Sequence, residues 1–575
     1  MTTHPPTGEG DGALPSWVPD EATLTRLANE FFGTMPGHGP QAPSADESNL
    51  PKADVPGPEE ATAYAPQADL LGYMPPDLTS GFHRAAATPG RLAGLAGQPP
   101  ATAVPGLPPA TIAAILGATG ARALERSLAA PATMASGEPS FYFVDERISF
   151  PHRPVCDRRV MPVEAHPAFH IEAVRRDFPI LQERVHGRQL VWLDNGATTQ
   201  KPQVVIDRLA YFYSHENSNI HRSAHSLAAR SSDAYEGARS TVADFLGAPS
   251  PANVVFTRGT TEAINLVAQA WGRHRVGPDD EIVISHLEHH ANIVPWQQLA
   301  AERGAKLKVI PVDDEGRLLL DSYGQLLSDR TKIVAITHVS NVLGTIVPVK
   351  QVIEMAHRAS AKVLVDGAQA VAHMVVDVAD LDADFYVFSG HKIFAPTGIG
   401  ALYAKPELLE DMPPWQGGGN MIADVTLERT LYQRPPAKFE AGTGNIAGAV
   451  GLGAALDYVS HLGRSLVERY EHDLLEYALA EIRSVPGLHL IGTAPEKASV
   501  LTFVLEGYRP EEVGTALDKE AIAVRAGHHC AQPILRRYGL ESAVRPSLAM
   551  YNTHAEVDLL VAALRRLAAD GGNRR

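Results

Sequence analysis

The sequence predicts an α/β protein built on an open, mostly parallel sheet. Three patterns predict it: short apolar runs that read as strands buried on both faces, polar or small residues at their carboxyl ends, and helical periodicity after the turns. Asn253-Val-Val-Phe-Thr-Arg-Gly-Thr-Thr-Glu-Ala-Ile-Asn-Leu-Val267 gives strand, tight turn and helix in one stretch. Gly259 permits the turn, and Thr260 and Thr261 fall where free amides and the positive helix end favour an anion. Taken alone, that stretch reads first as an ordinary capping turn. Glu281-Ile-Val-Ile-Ser285 is the next strand, and it runs into Glu288-His-His-Ala-Asn-Ile-Val-Pro-Trp296. Two histidines at a strand-to-helix junction offer a flat ring for stacking. They also suggest zinc, but no cysteine or aspartate stands near them in sequence at ligand spacing, so metal is not expected.

Ala361-Lys-Val-Leu-Val-Asp-Gly-Ala-Gln369 is a further buried strand, and it delivers Asp366 and Gln369 to its mouth. Ala383-Asp-Phe-Tyr-Val-Phe-Ser-Gly-His-Lys392 does the same with Ser389, His391 and Lys392. A lysine at a strand end usually snorkels to water. Here it shares its position with a carboxylate, and in open α/β sheets ligands bind outside the carboxyl ends of the strands. Desolvation lowers a lysine pKa and turns the amine into a nucleophile toward aldehydes. An imine-forming lysine, an acid for a ring nitrogen and donors for a phosphate together suit pyridoxal 5'-phosphate. From Gly451 to Leu479 apolar residues recur at helical spacing, which predicts a connecting helix before a smaller domain.

From about Phe169 onward the chain resembles the class V aminotransferase group, and within it the SufS-type cysteine desulfurases. The resemblance rests on the joint order of several motifs: Leu193-Asp-Asn-Gly-Ala-Thr-Thr-Gln-Lys-Pro202, Asn219-Ile-His-Arg222, Arg258-Gly-Thr-Thr-Glu262, Glu288-His-His-Ala-Asn292, Val339-Ser-Asn-Val-Leu-Gly344, Asp366-Gly-Ala-Gln369, Ser389-Gly-His-Lys392, Arg525-Ala-Gly-His-His-Cys530 and Tyr551-Asn-Thr553. It implies the PLP-dependent transferase fold of type I, with a mixed, mostly parallel seven-stranded sheet in a large domain and a small α+β C-terminal domain. The implied division is 1–166 extension, 167–458 large domain and 459–575 small domain.

The resemblance also assigns residues. It implies that Lys392 forms the imine with pyridoxal phosphate, that Asp366 pairs with the ring nitrogen and Gln369 with the ring hydroxyl, and that His289 stacks on the ring. Thr260, Thr261, Ser389 and His391 would hold the phosphate, with Thr443 donated by the partner subunit of a homodimer. Arg545 would take the substrate carboxylate through its planar fork, with Asn341 and Arg525 assisting. Cys530, in a loop with glycine and paired histidines, would be the thiolate that takes sulfur from L-cysteine as a persulfide. A SufE- or SufU-like protein would accept that sulfur. Other reactions on this fold, selenocysteine lyase among them, remain open, as does a non-catalytic scaffold. Gly444, Ala526 and Pro546 depart from the family pattern, which puts loop stiffness and partner choice in doubt before reaction class.

Composition narrows the setting. Two cysteines in 575 residues exclude a disulfide framework and suit a reducing cytoplasm. A net charge of -16 argues against nonspecific binding to nucleic acid or anionic lipid. The Met-Thr-Thr-His-Pro-Pro start has no basic region with an apolar core behind it, so a soluble protein without a signal peptide is expected. The stretch up to about His166 is crowded with Pro, Ala and Gly, as in Gly97-Gln-Pro-Pro-Ala-Thr-Ala-Val-Pro-Gly-Leu-Pro-Pro109, and is expected to be largely disordered. Its apolar islands are Asp20–Phe32, Leu70–Met74 and Ser140–Val144, which suit partner-binding segments that fold on contact and, equally, a passive extension with local clusters. Such extensions on SufS-like enzymes resemble those of family 2A encapsulin cargo desulfurases, which implies loading into a shell protein.

Overall fold

A computed structural model of the chain describes residues 169–221 and 225–572. The expected disordered extension, its apolar islands, Cys156 and Arg222 lie outside the described residues. The elements that position the site begin with β1 (Val191–Trp192), β2 (Val254–Thr257), β3 (Glu281–Ser285) and β4 (Lys306–Ile310). They continue with β5 (Thr331–Thr337), β6 (Lys362–Asp366), β7 (Phe385–Ser389) and β8 (Gly400–Ala404). Strands β2 to β8 form one seven-stranded sheet in the order β2-β8-β7-β6-β5-β3-β4. β4, β3, β5, β6 and β7 run parallel, while β8 lies antiparallel between β7 and β2. The mixed seven-stranded sheet is therefore as expected from the resemblance.

The apolar runs are continuous because both faces of the sheet are covered. Along β7, Phe385 and Val387 join one core cluster and Tyr386 and Phe388 the other, all with no exposed surface. This is the period-two alternation of a strand, with a helical layer on each side in place of solvent. One face carries α3 (Thr260–Leu266) and α4 (Val294–Arg303). The other carries α1 (Gln203–His215), α2 (Ser226–Leu246), α5 (Val349–Arg358), α6 (Ala370–His373) and α7 (Ile446–Leu462). Asn445 caps α7 by accepting the Gly448 N–H at 2.8 Å. At Gly453 an added Cβ would meet Ala238 at 3.1 Å, so glycine lets α7 lie close against α2.

The helical run expected from Gly451 to Leu479 is two helices, α7 and α8 (Arg464–Ile482). Gly463 parts them with φ of 87°, a left-handed conformation that ends a helix at little cost only for glycine. Residues 458 and 459 both lie within α7. Beyond α8 come β11 (Leu488–Ile491), β12 (Thr502–Leu505), β13 (Ile522–Ala523), β14 (Arg525–Gly527) and β15 (Ala543–Arg545), after a β9 (Ile422–Val425), β10 (Thr430–Tyr432) hairpin earlier in the chain. β11, β12, β15 and β14 form a four-stranded sheet in that order. It shares a core with α8, with α9 (Pro510–Asp518) and with α11 (His554–Gly572). β1 joins this layer: it pairs in parallel with β13, and Val191 and Leu193 sit in the same core. The chain therefore adds a strand to the C-terminal layer before it builds the large sheet.

One substitution tests the tightest crossing. A Cβ on Gly400 would lie 2.4 Å from Phe388 O and 2.6 Å from Gly259 Cα, both backbone atoms that cannot swing aside. Gly400→Ala is expected to destabilise the protein by about 1–3 kcal/mol, read as a lower denaturation midpoint in urea.

Candidate functional site

The parallel strands end on one side of the sheet, and their mouths open into a cavity of about 410 Å³. β6 ends at Asp366, which is buried, and whose carboxylate accepts the Ala368 N–H at 3.0 Å. β7 ends at Ser389, and a short turn brings Lys392 round to the same cavity. Lys392 is half-buried and lines that cavity, and burial lowers its amine to about 8 although Asp366 opposes the shift. Burial likewise pushes the Asp366 carboxyl up. Two buried groups of opposite charge therefore face each other across adjacent strand ends, each partly stabilising the other's ionised form.

β2 leads into Gly259 with φ of 150°, and α3 starts directly after it. A Cβ at Gly259 would sit 3.0 Å from Ser389 Oγ, so the turn and the β7 mouth form a cradle only glycine allows. Ser389 Oγ accepts the Thr260 N–H at 2.8 Å and lies 2.8 Å from Thr260 Oγ1. Thr261 and His391 line the same wall. His289 follows β3, and its Nδ1 accepts the Ala291 N–H at 3.0 Å, which leaves the ring proton on Nε2. Burial first, then the charge of Lys392, lowers His289 to about 3, so the ring is neutral. Gln369 donates to Gly196 O at 2.8 Å and faces the cavity from α6's entry.

The smaller layer closes the other side. Arg545, at the end of β15, is almost wholly buried, and burial lowers it to about 10. Its Nη1 donates to Asn341 O at 2.8 Å and its Nη2 pairs with Asp194 at 3.3 Å, which fixes the fork while each terminal nitrogen keeps one further N–H. Arg525 pairs with the other oxygen of Asp194 at 3.2 Å. Cys530 is half-buried and lines the cavity. It lies in a loop where His529 and Cys530 both have left-handed φ, 52° and 54°. Such non-glycine residues cost on the order of 1–2 kcal/mol each. The loop is held by hydrogen bonds: Asn341 Nδ2 donates to His529 O at 2.7 Å, and His529 Nε2 to Ala543 O at 2.9 Å.

All the expected site residues meet at this cavity except Thr443. Thr443 is exposed, 3.4 Å from Asn219 through its side chain, and borders a second cavity of about 640 Å³. Among the departures from the family pattern, Ala526 lies in β14 opposite Val544, Gly444 is exposed beside Tyr235, and the Pro546 carbonyl accepts the Leu501 N–H at 3.0 Å.

Sequence reasoning missed two residues here. Asp194 holds both arginines, across more than 300 residues of chain, and nothing local to Leu193-Asp-Asn195 announces that. Glu288 is fully buried beneath His289, where Ser285 Oγ, Thr337 N and Asn292 Nδ2 donate to it at 2.5, 3.1 and 2.6 Å. Burial raises its carboxyl to about 8, so it is a neutral acid that ties the ends of β3 and β5 together. Its signal was a carboxylate three residues past β3, whose middle, Ile282-Val-Ile284, is apolar.

The donor set fits the cofactor expected from the sequence. A buried acid, a buried amine and a hydroxyl-lined glycine cradle surround one space. Beside it Asn341 Oδ1 and Arg545 Nε are buried without partners. Among the described residues no group of three or more His, Cys, Asp or Glu could hold a metal ion, and no helix is long and apolar enough to cross a membrane.

Residues 191–560 match the class V aminotransferase family model. A probable cysteine desulfurase of Mycolicibacterium paratuberculosis is 55% identical over 564 residues, covering 97% of this chain and 78% of that protein. A cysteine desulfurase of Synechococcus elongatus is 63% identical over 443 residues, 74% of this chain and 71% of that protein. Among solved structures, the cysteine desulfurase CsdA of Escherichia coli in its S-sulfonic acid form superposes with a TM-score of 0.65 at 40% identity, over 70% of this chain and 99% of that one.

The burial of Lys392 has a measurable sign. Its folded pKa is about 8 against 10.5 ordinarily, so below pH 8 the fold carries the cost of a buried ammonium, and wild-type stability rises between pH 8 and 10.5 as the native amine sheds its proton first. In cofactor-free protein, Lys392→Met is expected to raise stability at pH 7 by on the order of 1–3 kcal/mol. That gain should shrink as the pH passes through this window, as followed by urea denaturation.

Proposed function

We infer the reaction from membership: the chain belongs to the class V aminotransferase family and, within it, to the cysteine desulfurases. It converts L-cysteine to L-alanine with pyridoxal 5'-phosphate as cofactor. The observation that carries this reading is the meeting of Lys392, Asp366, Arg545 and Cys530 at one cavity between two layers. When bound, pyridoxal phosphate supplies an electrophilic carbon for the substrate amine and an electron sink beside its α-carbon. Lys392 would attach it, Asp366 would pair with its ring nitrogen, His289 would lie against its face and Gln369 at its hydroxyl. Thr260, Thr261, Ser389 and His391 would receive its phosphate.

The chain's own residues then divide the work. The free N–H groups of Arg545 take the substrate carboxylate, with Asn341 beside it and Arg525 at the rim. Asp194 already holds the guanidinium plane, so little side-chain freedom is lost on binding. Lys392 Nζ, lowered toward neutral pH by burial, accepts the proton from the substrate α-carbon and returns a proton later. Cys530 Sγ, as thiolate, attacks the substrate sulfur. A sulfur–sulfur bond forms, the carbon–sulfur bond breaks with its electron pair left on carbon, and protonation there yields alanine while Cys530 carries the persulfide. The persulfide is then open to a SufE- or SufU-like acceptor in the cytoplasm.

We also propose a homodimer in which Thr443 reaches the partner's phosphate site. Its exposure away from its own cavity supports this, as do the exposed Val425, Leu427, Leu431 and Tyr432 of the β9–β10 hairpin. The N-terminal extension is proposed to load the enzyme into an encapsulin shell. Similarity to the Mycolicibacterium protein runs through 97% of the chain, while the Escherichia structure matches 70% of it and lacks a counterpart for the rest.

Alanine and persulfide measured from cysteine, with and without an acceptor, test the reaction. Cys530→Ala is expected to lose the persulfide and bring alanine formation to background; full sulfide release by that variant would sink the mechanism. Arg545→Lys should raise KM for cysteine about tenfold or more, through loss of about 1.5–3 kcal/mol of charged hydrogen bonding, with the cofactor absorbance unchanged. For the extension, equal co-purification of full-length protein and a version starting at Ala168 with a co-expressed shell protein would refute loading.

A further inference from the structure

Both backbone polar groups of Cys530 are taken by histidines on different elements. Its N–H donates to His528 Nδ1 at 3.0 Å, and its carbonyl accepts the backbone N–H of His290 at 2.8 Å. The two imidazoles lie face to face, 5.9 Å apart with 25° between their planes. His290 Nε2 in turn accepts, at 3.3 Å, the N–H of Gln532, the first residue of α10 (Gln532–Arg537). Each ring thus offers a lone pair to the loop, which puts the ring proton of His528 on Nε2 and that of His290 on Nδ1. A side chain that accepts the N–H two residues on closes the same local turn that Asn and Asp side chains close. It does so where the backbone is in the left-handed region at His529 and Cys530.

We propose that His528 and His290 form a positioning clamp that holds the Cys530 thiol at the cavity and releases it when a solvent proton occupies either accepting lone pair. The inference rests on the reading of Cys530 as the sulfur-accepting thiol. A protonated His528 would set its Nδ1–H against the Cys530 N–H, donor against donor, and a protonated His290 would lose Gln532. Two stacked imidazolium rings would also repel. The cations around the loop, Arg525 on β14, Arg545 on β15 and Lys392 across the cavity, favour the neutral pair, and His289 and His529 beside the two rings are themselves kept neutral by burial. Asp194 is engaged by both arginines, and on α10 Arg536 and Arg537 are paired with Glu541 and Asp314. Burial lowers His290 from 6.5, so its arm of the clamp stands at neutral pH and is lost only as the pH falls below that value.

The test is the alkylation rate of Cys530 by iodoacetamide in the holoenzyme, resolved from Cys156 by peptide mass spectrometry, for wild type, His528→Ala and His528→Asn. Asparagine keeps an acceptor for the N–H two residues on and does not titrate. At about pH 8 wild type and His528→Asn are expected to react alike and His528→Ala about fivefold faster, the worth of one net hydrogen bond. As the pH is lowered from there, the wild-type rate relative to His528→Asn should climb toward that of His528→Ala. Equal rates for all three, an Asn variant that follows the Ala variant at pH 8, or a wild-type to Asn ratio that stays flat with pH would each overturn the clamp. A merely structural role would lower melting temperatures without that pH-dependent ratio. Failure of the underlying reading shows elsewhere, as undiminished alanine formation by Cys530→Ala.

Discussion

The rest of the structure depends on the burial of an amine and a carboxyl at the mouths of two adjacent parallel strands. β6 delivers Asp366 and β7 delivers Lys392, and neither group has water enough to be comfortable in its charged form. A buried pair of this kind is a poor device for stability, because desolvation offsets most of the attraction. It persists here because both faces of the sheet are sealed by helices, which hold the strand ends rigid. Antiparallel β8 completes that seal: inserted between β7 and β2, it brings the Gly259 turn to within contact of the Ser389 mouth. The acid, the amine and the anion cradle are consequences of one strand order.

Much of this was legible in the sequence, for a physical reason. Strands buried on both faces must be apolar at every position, so Phe385–Phe388 and Val363–Val365 stand out and the polar residue that follows each is marked as a site candidate. Helix breaks were less visible, since the periodicity from Gly451 to Leu479 continues across Gly463 and only the glycine's left-handed backbone separates α7 from α8. Least visible were pairings across the chain. Asn195 donates to Ser547 O at 2.7 Å and to Asn552 at 3.0 Å and accepts from Tyr551, binding the entry loop to the C-terminal layer. No local pattern encodes a partner more than 350 residues away.

Those distant pairings explain how two layers make one pocket. The loop from Asp194 to Thr199 lies between them: Asp194 holds Arg545 and Arg525, Gly196 receives Gln369, and Thr198 and Thr199 both hydrogen-bond His391 O. At Gly196 a Cβ would meet the Arg545 guanidinium at 3.1 Å, so the close approach of loop and arginine requires a residue without a side chain. Asn341 plays the matching part from the large sheet, with its carbonyl on Arg545 and its amide on the cysteine loop. The carboxylate-binding group and the nucleophile are therefore registered to the same residue, and displacement of either would be felt by both.

The electrostatics of the pocket follow one direction. Burial lowers Lys392, Arg545 and His289 together, and each cation adds to the strain on the others, while Asp366 and Asp194 are the acids that answer them. Such a site is under-neutralised by its own residues. An anionic ligand restores the balance twice over, once at the Thr260–Ser389 cradle and once at Arg545, and each charge it brings favours the protonated form of the cations around it. Binding should then stabilise the fold by mass action, and a zwitterionic amino acid would be drawn in carboxylate first. The neutral His289 fits the same logic, since a ring meant to lie against a planar partner gains nothing from a further positive charge in a place already rich in them.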